Sequence, residues 1–226
     1  MSGAAPHAGA RIVTDGAPLS RARLALVMAH GRGGSAEDML ALAKHLGVPD
    51  VAALAPQAAG RSWWPDSFLA PLAHNEPYLS SALSVLDAVI ERLGDEGFGP
   101  ERIVIAGFSQ GACLALEHAA RAGRPYRAVH AMSGGLIGTS DTDEPASEAL
   151  YGRAPKRFDY AHRLDGVPVH LSCHENDPHI PLARVRASEE VFRSLGADVS
   201  LRVDPGAGHA VMAEDLAALR ATLNVA

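Results

Sequence analysis

The stretch Arg102-Ile-Val-Ile-Ala-Gly107-Phe-Ser109-Gln-Gly111-Ala-Cys-Leu-Ala constrains the chain more than any other. Four apolar residues, 103–106, have the character of a buried strand. They run into Gly-Phe-Ser-Gln-Gly and then into an Ala- and Leu-rich helical stretch. A strand, a sharp turn and a helix in immediate succession give a G-x-S-x-G pentapeptide the context of a nucleophile elbow. The turn forces Ser109 into a strained backbone conformation. Side chains at 107 and 111 would collide with the neighbouring strand and helix, so both positions are glycine. The hydroxyl of Ser109 is then expected above the carboxyl end of a parallel sheet, at the start of a helix. The bland alternative is a glycine-rich turn with an incidental serine.

The rest of the chain supplies such a sheet. Apolar runs at 22–29, 51–55, 102–107, 127–133, 167–173 and 197–203 alternate with helical periods at 36–46, 77–93, 111–122, 181–195 and 213–223. Strand followed by helix, repeated, predicts an α/β fold with a mainly parallel sheet covered on both faces. Residues 11–14 are expected to add an edge strand. Ser35-Ala-Glu-Asp38 has the form of a capping box at the first helix. Gly94, Gly123 and Gly196 stand where helices should end. No internal repeat or interdomain linker interrupts the pattern, so residues 1–226 are read as a single domain. Two stretches lack period: 56–76, rich in Pro and aromatics, and 138–163, rich in Ser, Asp, Pro and Arg. The first follows a strand end directly, which places it over a site at the sheet's carboxyl edge.

Composition excludes other classes. The net charge is −6 and no basic run appears, which argues against nucleic acid as a partner. The N-terminal residues lack a basic start and a long apolar core, and no stretch reaches transmembrane length. A cytoplasmic protein without stable membrane association is expected. Cys113 and Cys173 then read as reduced, small core residues. A homodimer is compatible with the sequence.

A serine hydroxyl needs a base within reach and a group that orients the base. With 11 histidines, chain order must select: Ser, then Asp or Glu, then His is the order of this architecture. His209 follows the last strand on Asp204-Pro-Gly-Ala-Gly-His, where Gly206 and Gly208 give the loop freedom. Asp177 is the candidate acid, fixed by an Asp-Pro turn beyond strand 167–173, and Glu175 competes with it. The histidines at 170, 174 and 179 suggest a metal, but no HExxH or clustered carboxylate–histidine pattern accompanies them, so no metal and no cofactor is expected. His30-Gly-Arg-Gly-Gly-Ser35 is a glycine-rich loop between strand and helix. It offers backbone donors for an oxyanion hole at Arg32 N–H, with Gln110 N–H as the second donor. A phosphate cradle is the alternative use of such a loop. Trp63, Trp64 and Phe68 are candidates for substrate-binding walls, or they pack as core beneath the loop. The Arg32 side chain either steers an anionic substrate group or is solvated.

His30-Gly-Arg-Gly-Gly34, Gly107-Phe-Ser-Gln-Gly-Ala112, Asp177-Pro-His-Ile-Pro181 and Gly208-His209 together resemble, in order, the motifs of the phospholipase/carboxylesterase family, which includes acyl-protein thioesterases. The resemblance spans roughly residues 22–223. It implies an α/β-hydrolase fold with little or no lid, a triad of Ser109, Asp177 and His209, and oxyanion donors at Arg32 and Gln110. The better-known thioesterases have His-Gly-Leu-Gly-Asp in the first motif, where this chain has Arg32 and Gly34. The backbone donor survives that change, whereas the acyl-chain contacts of the loop need not. Ser62-Trp-Trp-Pro65 with Asn75-Glu-Pro77 resembles a bacterial branch of carboxylesterases, and protein depalmitoylation is not carried over. The expected function is hydrolysis of short- to medium-chain carboxylic esters, with a small-molecule ester as partner. Lysophospholipase or acyl-protein thioesterase activity would use the same triad. A non-catalytic ligand-binding relative is the reading from another class, and the complete triad and oxyanion loop argue against it.

Overall fold

The computed structural model describes residues 5–139 and 141–225. Seven strands form one sheet: β1 (Ile12–Gly16), β2 (Leu24–Ala29), β3 (Val51–Pro56), β4 (Ile103–Phe108), β5 (Ala128–Met132), β6 (Pro168–Asn176) and β7 (Asp198–Ala207). Their spatial order is β1-β3-β2-β4-β5-β6-β7. Only β1 runs antiparallel to its neighbour, the edge strand expected near residues 11–14. Four α-helices connect strands, α1 (Ala36–His45), α2 (Tyr78–Asp95), α3 (Gln110–Ala122) and α4 (Leu182–Ser194), and α5 (Ala213–Asn224) follows the last strand.

The continuous apolar runs reflect a sheet buried on both faces. Along β2, Ala25, Val27 and Ala29 join one core cluster, while Leu24, Leu26 and Met28 join the other. The first cluster takes the apolar sides of α2, α3 and α4, and the second those of α1 and α5. In α3, 11 of 13 residues are buried, and its Gly, Ala and Cys side chains let it lie close against the sheet. At α1 the capping box forms: Ser35 Oγ accepts from Asp38 N–H at 3.2 Å, and Asp38 Oδ2 accepts from Ser35 N–H at 2.8 Å.

Three boundaries differ from expectation. Helix α2 passes through Gly94, and the positive φ of 85° that follows it belongs to Gly97. Strands β6 and β7 both run past their apolar segments, to Asn176 and Ala207, because their backbones keep pairing as far as Asn176↔Ala207. Asp204, Pro205 and Gly206 therefore lie in a strand, and the loop that delivers His209 is shorter than the sequence suggests.

Strand order reverses at β2, with β3 on one side and β4 on the other. In a parallel sheet the crevice for a ligand opens at such a switch point, beyond the carboxyl ends. The glycine-rich loop after β2 and the serine turn after β4 flank that crevice.

Candidate active site

Ser109 joins β4 to α3 with φ 54° and ψ −119°. Few L residues occupy that region, and surrounding bonds hold this one there. Ser109 N–H donates to Met132 O at 2.9 Å, and Ser109 O accepts from Cys113 N–H at 3.0 Å. The glycines on either side are needed for space. A Cβ on Gly107 would stand 2.2 Å from Gly111 O, and one on Gly111 would stand 2.1 Å from Ala29 O.

His209 Nε2 is 2.8 Å from Ser109 Oγ, and its Nδ1 is 2.8 Å from Asp177 Oδ2. Because the carboxylate accepts, Nδ1 carries the proton, and the Nε2 lone pair faces the serine hydroxyl. The imidazole rests between Phe108 and His179, with ring centroids 5.0 and 4.9 Å away. Asp177 is buried, and its Oδ1 accepts from the N–H groups of His179 at 2.8 Å and Ile180 at 3.0 Å. Burial by itself pushes this carboxyl up. The hydrogen bonds from His209 and the two amides outweigh it and hold Asp177 below the usual carboxylate range. Tyr151 O–H donates to Asp177 O and ties the 138–163 stretch to the same turn. Glu175 is exposed, with its carboxylate 3.5 Å from Gly206 N, so Asp177 is the acid brought to His209. Of the two glycines before His209, Gly206 takes φ 79°. Gly208 is required for a different reason from the expected freedom: a Cβ there would lie 2.6 Å from the His174 ring.

After β2, His30 Nδ1–H donates to Gly31 O at 2.7 Å, and its Nε2 accepts from Ala58 N–H at 3.1 Å. Burial draws this imidazole below its ordinary value, in keeping with a neutral ring that both donates and accepts. Gly34 N–H also donates to Gly31 O, at 3.0 Å. In a planar trans peptide, the N–H of Arg32 points opposite to that carbonyl. Among the described residues, neither Arg32 N–H nor Gln110 N–H donates to a protein acceptor. At Gln110 this is the ordinary state of a first helical residue.

The Arg32 side chain is solvent-exposed, as one of its two readings expected, and it also binds the loop. Its Nη1 donates to Pro65 O at 2.7 Å and to Ser62 Oγ at 3.2 Å, and its Nη2 donates to Asp66 O at 2.6 Å. Gln110 grips the same loop: its Oε1 accepts from Trp63 N–H and its Nε2 donates to Trp64 O, both at 2.9 Å. Buried Asn75 completes the set, accepting from Asp66 N–H and donating to Ser67 O, both at 3.0 Å. Side chains from three places thus satisfy the backbone of a segment that has no ladder of its own. Sequence reasoning missed the loop-holding roles of Asn75 and of the Gln110 side-chain amide. An Asn within a Pro-rich aperiodic loop was the available signal.

A cleft of about 500 Å³ opens over Ser109. It is lined by residues 64–68 of the loop, by Arg32, Gln110 and Cys113, and by His179, Ile180 and His209. Trp64 and Phe68 line the cleft and are also buried in the core beneath the loop, so both readings of them hold. Only the core reading holds for Trp63. It is fully buried outside the cleft lining, and its Nε1–H donates to His30 O at 2.8 Å. His7 supports it from behind, donating from Nε2 to Trp63 O at 2.8 Å and accepting from Ala59 N–H at Nδ1, 3.1 Å away. His170 stacks on His130, with ring centroids 4.3 Å apart, away from this cleft lining. Both cysteines are free and buried.

A family model described as Phospholipase/Carboxylesterase matches residues 11–226. The chain belongs to the phospholipase/carboxylesterase family. Acyl-protein thioesterase 1 of Gibberella zeae is 33% identical over 135 residues, which is 60% of this chain and 52% of that protein. The match thus spans about half the length of that relative. The crystal structure of a phospholipase/carboxylesterase from Dyadobacter fermentans superposes with a TM-score of 0.84 at 37% identity, covering 95% of this chain and 96% of that one. Esterase PE8 superposes with a TM-score of 0.72 at 27% identity, covering 95% and 97%. With the seven-stranded sheet, these neighbours give this member of the phospholipase/carboxylesterase family the α/β-hydrolase fold.

Proposed function

We propose that this protein is a serine carboxylesterase that hydrolyses short- to medium-chain carboxylic esters through an acyl-enzyme. The observation that carries the reading is the hydrogen-bonded line from Ser109 through His209 to Asp177, which opens on a cleft. Ser109 Oγ attacks the ester carbonyl while His209 Nε2 takes its proton. Asp177 keeps the ring in the required tautomer and stabilises the imidazolium. The N–H groups of Arg32 and Gln110 receive the oxyanion, and donors with no protein partner suit that role. His209 protonates the departing alkoxide. It then deprotonates a water that attacks the acyl-enzyme, and the acid leaves with Ser109 restored. Each step uses only these residues and water.

The cleft volume suits a small ester. Asp66, Ser67 and His179 make its lining partly polar, which favours acyl chains of limited length. Among the described residues, no helix is long and apolar enough to cross a membrane. A fluorophosphonate should label Ser109 alone, and Ser109→Ala should lower kcat on an aryl ester by at least about 10³-fold with the fold retained. Unchanged turnover in that variant ends the reading. The relative named an acyl-protein thioesterase favours a second reading, thioester hydrolysis by the same residues. Matched oxygen and sulfur esters of one acyl group decide between the two.

A further inference from the structure

We propose that the Arg32 side chain sets the acyl-chain limit of the cleft by strapping its wall loop in place. The inference rests on the esterase reading and adds a specificity-determining role to a residue that reading uses only through its backbone.

The guanidinium is exposed, and three of its five N–H donors meet the loop. Its two terminal nitrogens reach the consecutive carbonyls of Pro65 and Asp66 and the hydroxyl of Ser62. A planar fork can span two adjacent carbonyls where a single ammonium holds one. Pro65 and Asp66 belong to the 64–68 segment, which supplies five of the residues lining the cleft, and Ser62 lies just before it. The segment's other ties lie to either side: Ser62 O–H donates to Trp64 O at 2.8 Å and Gly138 N–H to Phe68 O at 2.7 Å. Gln110 holds it at Trp63 and Trp64, and Asn75 holds it at Asp66 N–H and Ser67 O. The carbonyls of Pro65 and Asp66 are left to Arg32. The oxyanion loop is also joined to the start of this segment by Gly33 N–H donating to Arg61 O at 2.7 Å and by Arg61 Nε donating to Gly34 O at 3.1 Å. Loss of the Arg32 strap would therefore free the carbonyls of Pro65 and Asp66 and leave the wall held at that point by Asn75 alone.

A fixed wall ends the groove at a fixed point. Each methylene that can be buried improves kcat/KM by about fourfold, and each one beyond the wall adds nothing. If the wall yields, longer chains gain and short ones do not. The readout is the ratio of kcat/KM for an aryl decanoate over the butyrate, both below their aggregation limits. That ratio should rise by at least about tenfold in Arg32→Ala, with Arg32→Lys intermediate because an ammonium keeps the charge but lacks the planar fork. Hydrogen exchange at the amides of residues 66–68 should quicken in the same order. Both variants keep a backbone N–H at position 32, so the oxyanion donor is not deleted. A ratio within about twofold of wild type in both variants overturns the strap. So does an equal loss at every chain length, which would reduce Arg32 to placing its own peptide. If Arg32→Ala does not fold, the Arg32→Lys ratio and exchange rates decide alone. Failure of the parent reading looks different: Ser109→Ala would then hydrolyse both esters.

Discussion

Asp177 faces His209 with one carboxylate oxygen and its own turn with the other: Oδ2 is 2.8 Å from His209 Nδ1, while Oδ1 takes the amides of His179 and Ile180. One oxygen orients the imidazole while the other anchors the carboxylate to its turn. In Asp177→Asn the amide can present an N–H to Nδ1 and select the wrong tautomer. We expect kcat to fall by roughly 10³–10⁴-fold. Glu175→Gln, two residues away on the exposed side, should cost less than about tenfold. Steady-state kinetics on one aryl ester tests both, and a reversed ranking would reject the assignment.

The serine turn depends on glycine for space, since neither Gly107 nor Gly111 takes a positive φ. Gly111→Ala puts a methyl 2.1 Å from Ala29 O, a backbone atom of a central strand that cannot step aside. Urea denaturation should register a loss of about 3 kcal/mol or more, or no folded protein. Gly166→Ala makes the useful contrast. Its φ is 72°, and nothing stands within 4 Å of the added carbon, so the cost should be about 1 kcal/mol.

The two neighbouring tryptophans should behave differently. Trp63 is core, and Trp63→Ala removes both its burial and its bond to His30 O. A stability loss of about 3–5 kcal/mol is expected, with the chain-length ranking of esters preserved in whatever protein folds. Trp64 lines the cleft, and Trp64→Phe should shift that ranking. A kcat/KM series for both variants checks the pair.

Acid should destabilise the fold through histidines buried in the neutral form. Burial pulls His118 down to about 4, and Nε2 of its ring is paired with Tyr126 Oη at 2.9 Å. Below the ordinary value of about 6.5, the unfolded chain binds a proton that the folded chain does not. The stability is complete above that pH and is lost as pH falls toward 4. The loss attributable to this ring is about 2–3 kcal/mol at pH 4.5. His30, His130 and His170 are shifted in the same direction. Denaturant titrations at pH 7.5 and 4.5 should therefore show a smaller drop for His118→Gln than for wild type. Equal drops would count against the assignment.

What the sequence disclosed and what it withheld divide along physical lines. Burial on both faces of a sheet leaves runs such as Ile103–Ala106, so the strands and the serine turn were legible. So was His209, because a fixed chain order reduced 11 histidines to one on a loop beyond a strand end. The extra lengths of β6 and β7 were hidden, since His174-Glu-Asn176 and Asp204-Pro-Gly pair through backbone atoms and carry no apolar signal. The loop ties were hidden for another reason. Arg32 meets Pro65 O, and Asn75 meets Asp66 N–H, only after the sheet has brought their segments together. No local pattern encodes a single side chain reaching across 33 residues.

The peg formed by His7 has a practical consequence for how this chain is cut or tagged. A shortened version that began at β1 would keep every strand and helix of the sheet sandwich. It would still lose the imidazole that holds Trp63 O and Ala59 N–H, and with it a support of the segment over the nucleophile. Deletion mapping that scored only expression and helix content would pass such a fragment as intact, although one brace of the cleft wall was gone.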